Sequence, residues 1–138
     1  MDNSVDKAKN KLVEKRNLRR RGSIGEELAA SFLAGYGVRI TERNFHSGRS
    51  GEVDLIGRDG ETLLFIEVKL RKGDGSGAPE EAVTYSKQRT ICRTADYYRC
   101  IHGIPDTHSI RFDVVAIRVQ EDGRAAIRWI RNAFPYHI

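Results

Sequence analysis

Gly51-Glu52-Val53-Asp54-Leu55-Ile56 and Leu64-Phe65-Ile66-Glu67-Val68-Lys69 decide how this chain reads. Each is an apolar, β-prone run interrupted by acidic groups. A carboxylate inside such a run is costly to bury unless it is paired, hydrogen-bonded or bound to a metal. Side chains alternate along a strand, so Glu67 and Lys69 share a face about 6–7 Å apart, and Glu52 and Asp54 share one by the same rule. Asp59-Gly60 between the runs is a favoured hairpin dipeptide. Pairing the two strands as a hairpin gathers Asp54, Glu67 and Lys69 into one cluster at the sheet edge. Two acids and a lysine so placed suit a hard divalent cation and an activated water, the requirements of phosphodiester hydrolysis.

Working outward, Ser23 and Glu26 have the spacing of a capping box at the start of a helix over about residues 23–34. Leu28, Ala29, Phe32 and Leu33 form its apolar stripe, and Gly35 and Gly37 end it. Residues 38–45 read as a first strand and 46–51 as a loop. The second strand covers about 52–58 and the third 62–70, whose nearly continuous apolar run marks a central strand covered on both faces. Gly73-Asp74-Gly75-Ser76-Gly77 lacks the spacing and lysine of a phosphate-binding P-loop and reads as a flexible loop able to close on substrate. A second helix is expected from Pro79 or Glu80 to Cys100, since proline and acids suit a first turn. Residues 110–119 and 125–133 close the sheet around the turn Glu121-Asp122-Gly123. The order α-β-β-β-α-β-β describes an α/β fold, a mixed central β-sheet flanked by helices. The domain reading is a basic arm over residues 1–21 and one α/β domain over 22–138.

At 138 residues the chain has the length of one domain, enough to bury roughly two thirds of its unfolded surface. No apolar run approaches the roughly 20 residues that span a bilayer, and the charged N-terminus lacks the apolar core of a signal peptide. A cytoplasmic protein is expected. Cys92 and Cys100 fall on one helix about 12 Å apart, too far for a disulfide, and the four histidines lack zinc-ligand spacing. The net charge of +5 comes from residues 1–21, where eight basic residues face three acidic ones. That arm, with Arg19, Arg20 and Arg21 at its end, reads as either a phosphate-binding segment or a solvated tail, and the acidic cluster favours nucleic acid.

These residues resemble the YraN-type family of small bacterial endonuclease-like proteins, within the PD-(D/E)XK superfamily, whose restriction-endonuclease-like fold is shared with Holliday-junction resolvases. The resemblance rests on Gly25-Glu26, Arg43-Asn44, the run Gly51 to Ile56, Phe65-Ile66-Glu67-Val68-Lys69 with Arg71, Lys87, and Arg111-Phe112-Asp113-Val114-Val115. It covers roughly residues 22 to 120. Val53 stands where the superfamily's eponymous proline would be, and proline is not a metal ligand. The resemblance implies Mg²⁺, with Mn²⁺ as a substitute, held by Asp54, Glu67, the Val68 carbonyl and Glu26. Lys69 would orient or deprotonate the attacking water and offset charge on the phosphorane.

Each residue has a plainer reading. Glu67 and Lys69 could be a same-face ion pair, but that leaves Asp54 unexplained. The capping box accounts for Glu26 as well as a metal does. Glu52 reads as a solvated strand-end residue. Lys87 suits phosphate contact and solvation equally. Arg71 and Lys72, beyond the acidic strand, suit the nucleic-acid backbone, and Arg43 joins them as a candidate nucleic-acid contact. Asp113 is an outside candidate for supporting the site, and Tyr97 and Tyr98 read as core or surface helix residues. The leading expectation is a divalent-metal-dependent endonuclease of DNA, with branched or damaged DNA among its substrates; folds of this kind often cut as homodimers. The alternative is a nucleic-acid-binding module that keeps the fold but cuts little. A protein-interaction scaffold has no physical need for all three of Asp54, Glu67 and Lys69 on one face.

Overall fold

The structure, a computed structural model, describes residues 23–48, 51–72 and 83–137, and of Lys72 the main chain alone. The basic arm with Arg19, Arg20 and Arg21, the glycine-rich segment 73–77 and Pro79-Glu80 lie outside the described residues. Within them the chain runs α1 (residues 23–35), β1 (Arg39–His46), β2 (Glu52–Asp59), β3 (Thr62–Lys72), α2 (Tyr85–His102), β4 (Ile110–Val119) and β5 (Ala125–Ile130). This is the α/β order expected from the sequence.

The five strands form one sheet in the order β1-β2-β3-β4-β5. β3 and β4 are parallel, and the other neighbours are antiparallel. Parallel neighbours need a long crossover, and α2 supplies it. Gly60, at φ 59, forms the tight β2–β3 turn with Asp59 opposite Thr62.

β3 is the central strand, and its alternation divides two cores. Leu63 and Phe65 pack with Ile91, Cys92, Ala95 and Tyr98 of α2. Leu64 and Ile66, with Val68 and Leu70 at the margin, pack with Ala29, Ala30 and Leu33 of α1. The two helices therefore cover opposite faces, as the nearly unbroken apolar run of β3 requires.

Three boundaries differ from expectation. α2 begins at Tyr85, because Thr84 has an extended backbone (φ −66, ψ 158) and its hydroxyl accepts the Lys87 N–H as the N-cap. Ser23 is already helical, so it is not the N-cap that its spacing to Glu26 suggests. β5 stops at Ile130, followed by Asn132 at φ 53, a left-handed conformation that asparagine tolerates. Both cysteines are free, Cys92 buried and Cys100 exposed. Tyr98 belongs to the core and Tyr97 is exposed. No helix among the described residues is long and apolar enough to cross a membrane.

Candidate metal centre

The site forms where β2 and β3 part. Their last paired position is Leu55 with Ile66. Just beyond it, strict alternation fails in β2: Val53 lies in the α2-side core and Leu55, two residues on, in the α1-side core. Opposite this slip, Asn44 of β1 carries φ 51, an uncommon conformation for a non-glycine strand residue. The irregularity frees Asp54 from a simple in-or-out choice. Its Oδ2 accepts the Val68 N–H at 2.8 Å, so a side chain satisfies main chain where the ladder has ended.

Glu67 lies on the α2 side of β3 and is only 6% exposed. Its Oε1 is 3.6 Å from Lys69 Nζ, while the buried Oε2 accepts no hydrogen bond. Burial pushes the Glu67 carboxyl up to about 7, and the neighbouring charge of Asp54 adds to the shift; Lys87 and Lys69 oppose it. Asp54 is also raised, first by burial and then by Glu52, against the Val68 amide and Lys87. A side-chain hydrogen bond between the two carboxyls lowers Asp54 and raises Glu67, so Glu67 is the one that holds the shared proton; two ionised carboxylates here would be unfavourable, and a cation can take the proton's place.

Two further acids, Glu26 and Glu52, gather around Asp54. Glu26, Glu52 and Asp54 each offer an oxygen, and the three oxygens lie within 4.8 Å of one another. Gly25 brings α1 down over Val68 and Leu70, with ordinary contacts of 3.5–3.8 Å expected even for an added Cβ. Glu26 therefore leaves the helix toward β2. Burial raises its carboxyl, with Asp54 and Glu52 adding to the effect, while a hydrogen bond from Asn44 and the charge of Arg43 oppose it. With Ser23 already helical the capping-box partner is missing, and Glu26 lies instead beside Glu52 and Asp54.

Asp54 neighbours Glu67, and Lys69 lies 3.6 Å from Glu67, so these three expected residues are close; the acids whose oxygens converge within 4.8 Å, however, are Glu26, Glu52 and Asp54, and Glu67 stands outside that trio. Glu52, read as a solvated strand-end residue, is partly exposed and also lies beside Glu26 and Asp54. Its shared strand face with Asp54 was legible, and only its position at a strand end argued for solvent. It also faces His46, paired with it in register, at 3.9 Å. Lys87 is half-buried in the first turns of α2, and its charge acts on both Asp54 and Glu67, more centrally than phosphate contact alone implies. Arg71 is exposed at the end of β3, on the face of Lys69 by alternation. Arg43 pairs with Glu27 at 2.5 Å. Val68 presents its amide to Asp54, a role no motif foretold.

Asp113 is a correction. It is fully buried, but with Val115 and Ile117 it alternates onto the α1 side, away from Glu67 and Lys69. Arg111 binds both its oxygens at 2.9 Å, and Trp129 Nε1 and the Asn132 N–H donate to it at 2.9 Å. Its role is to fasten β4 to β5 and the chain beyond.

A family model described as Uncharacterised protein family UPF0102 matches residues 25–117, a span that contains Glu26, Glu52, Asp54, Glu67, Lys69 and Lys87. A UPF0102 protein of Symbiobacterium thermophilum is 48% identical over 116 residues, covering 84% of this chain and 97% of its own. One from Rhodococcus jostii is 44% identical, covering 82% and 94%. Another, from Geobacter sulfurreducens, is 45% identical, covering 82% and 87%.

Proposed function

The chain belongs to the uncharacterised protein family UPF0102, and on the geometry of its acidic site we propose that it is a divalent-metal-dependent endonuclease of DNA. The observation that carries this reading is Glu67: a buried carboxylate beside Asp54, with Lys69 3.6 Å from it and the charge of Lys87 acting on both acids. An ion pair alone would satisfy Glu67 Oε1 and leave Asp54 unexplained.

The donor set fits a hard cation. Glu26, Glu52 and Asp54 offer oxygens within 4.8 Å of one another, and Glu67, beside Asp54, and the Val68 carbonyl are further candidates. Mg²⁺ prefers such oxygens and keeps several waters, and Mn²⁺ accepts the same ligands. When bound, the ion polarises a phosphate oxygen and lowers the pKa of a coordinated water. The Val68 amide holds Asp54 in a fixed orientation. Asn44 does the same for Glu26. Lys69 and Lys87 place positive charge where a phosphorane would develop negative charge, and Lys69 is the group to orient the water. Arg71, Lys72, Arg43 and the arm ending in Arg19, Arg20 and Arg21 are the proposed contacts to the DNA backbone, adding affinity without sequence preference.

The test is cleavage of labelled linear, nicked, flapped and four-way-junction DNA with Mg²⁺ or Mn²⁺, beside Lys69→Ala and an Asp54→Ala, Glu67→Ala double variant. Metal-dependent cleavage lost in both variants supports the reading, and the preferred substrate names the task. Cleavage retained in the double variant rules out this site. Salt-sensitive binding with no cleavage across the panel replaces the enzyme with a binding module.

A further inference from the structure

The last described residues, 131–137, lie beyond the span matched by the family model, yet they are built onto α2. The Ala133 N–H donates to Phe112 O at 2.7 Å, and Phe134 is buried, stacked on Phe112 with ring centroids 5.2 Å apart. The Tyr136 hydroxyl donates to Asp96. The buried thiol of Cys92 donates to Pro135 O at 3.9 Å and accepts the His137 N–H at 3.4 Å. Finally, the His137 ring meets Tyr85 edge-on at 4.9 Å, and its Nε2 is 2.8 Å from Gln88 Oε1. Gln88 turns its Nε2 to Val83 O at 3.1 Å, so the oxygen facing the imidazole is an acceptor and His137 Nε2 is the donor.

The contacts run from β4 along α2 and end, through His137, on the turn that carries Lys87, which is intrinsically weak. The first N–H groups of a helix lack intrahelical partners, and the helix dipole favours negative charge there. α2 has no acid in its first turn, and Lys87 puts a cation near the unfavourable end. Thr84 satisfies one amide, that of Lys87 itself. Gln88 then ties the residue before the cap to His137.

We infer that residues 131–137 form a strap that locks the first turn of α2 and so fixes the half-buried Lys87 side chain, one turn before the Thr90 that packs on Gly51 beside the acidic site, with Gln88 and His137 as the positioning residues. The catalytic part of this inference rests on the proposed nuclease reading, and the placement of Lys87 does not.

The experiment uses the full chain with its lysines ¹³C-dimethylated, the Lys87 signal being assigned by its absence in Lys87→Arg. In His137→Ala the signal should move to the position of exposed lysines. In His137→Gln, whose amide nitrogen stands near imidazole Nε2 and donates likewise, it should stay. Gln88→Leu, which removes the other half of the bracket, should reproduce His137→Ala and serves if that variant fails to fold. In DNA cleavage, His137→Ala should lower kcat several-fold at unchanged KM, with no further loss in a Lys87→Ala background. A Lys87 signal unmoved in both His137→Ala and Gln88→Leu overturns the strap. A signal that moves in a protein that cleaves none of the DNA panel supports the strap and removes the nuclease reading.

Discussion

Glu67 is held in a state its ordinary chemistry disfavours, and this has a measurable consequence. Its carboxyl is raised from the usual 4.5 to about 7, by burial first and by Asp54 second. The fold thus binds a proton more tightly than the unfolded chain does. This contribution is complete below the unfolded value and is lost as pH rises through the folded one. It amounts to about 3 kcal/mol across that window. Metal-free protein should therefore lose stability from roughly pH 4.5 to 7 relative to Glu67→Gln, which keeps the shape and removes the titration. Urea melts across a pH series measure the difference, and parallel curves for the two proteins would refute it. Saturating Mg²⁺ should restore stability on the alkaline side, because the cation takes the place of the proton. Glu52 carries a second expectation. If it is a ligand, Glu52→Gln should weaken Mn²⁺ binding by about tenfold or more in calorimetric titration, at least what losing an outer-shell partner costs. Unchanged affinity would return Glu52 to the solvated role its strand-end position suggested.

At the scale of elements, the site depends on how closely α2 approaches the start of β2. A Cβ added at Gly51 would collide with the Thr94 hydroxyl and lie 2.8 Å from the Thr90 methyl. Gly51→Ala should thus force the helix outward at a cost of roughly 1–3 kcal/mol, as overpacking does. Thermal melts should show it, and Thr90→Ser combined with Thr94→Ala should recover much of the loss; a melt like wild type in the single variant would show the contact to be soft. The elements themselves were legible because β3 alternates without interruption: its apolar run announced a strand covered twice, and the same alternation placed Lys69 beside Glu67. The slip between Val53 and Leu55 was not legible, because a pattern of period two carries no sign of where it breaks. Nor was the start of α2. Pro79 and Glu80 have the chemistry of a first turn, but Thr84 is the residue whose side chain caps the helix.

Across the whole molecule, the buried acids serve two separate places. The acidic site belongs to the β2–β3 end, whereas Asp113, also acidic and fully buried, fastens β4 to β5 from the α1 side. Four donor contacts saturate Asp113: two from Arg111, one from Trp129 and one from the Asn132 main chain. Arg111 also reaches Asp59 at 3.3 Å, linking this knot to the β2–β3 turn. Sequence alone could not separate the two kinds of buried acid, since Asp113 and Glu67 each interrupt an apolar strand. Their partners do: Glu67 keeps a buried oxygen without a donor, and Asp113 keeps none. Asp113→Asn should accordingly cost about 3–5 kcal/mol, because it strips Arg111 of its buried counter-charge and turns one acceptor into a donor facing other donors. Metal affinity per folded molecule should be unchanged. Urea denaturation and Mn²⁺ titration of the same variant, below its unfolding transition, measure the two quantities separately. A variant that lost metal binding while still folded would place Asp113 in the site's support after all. One that lost stability alone would leave the acids between β2 and β3 as the chain's buried charge held for a cation.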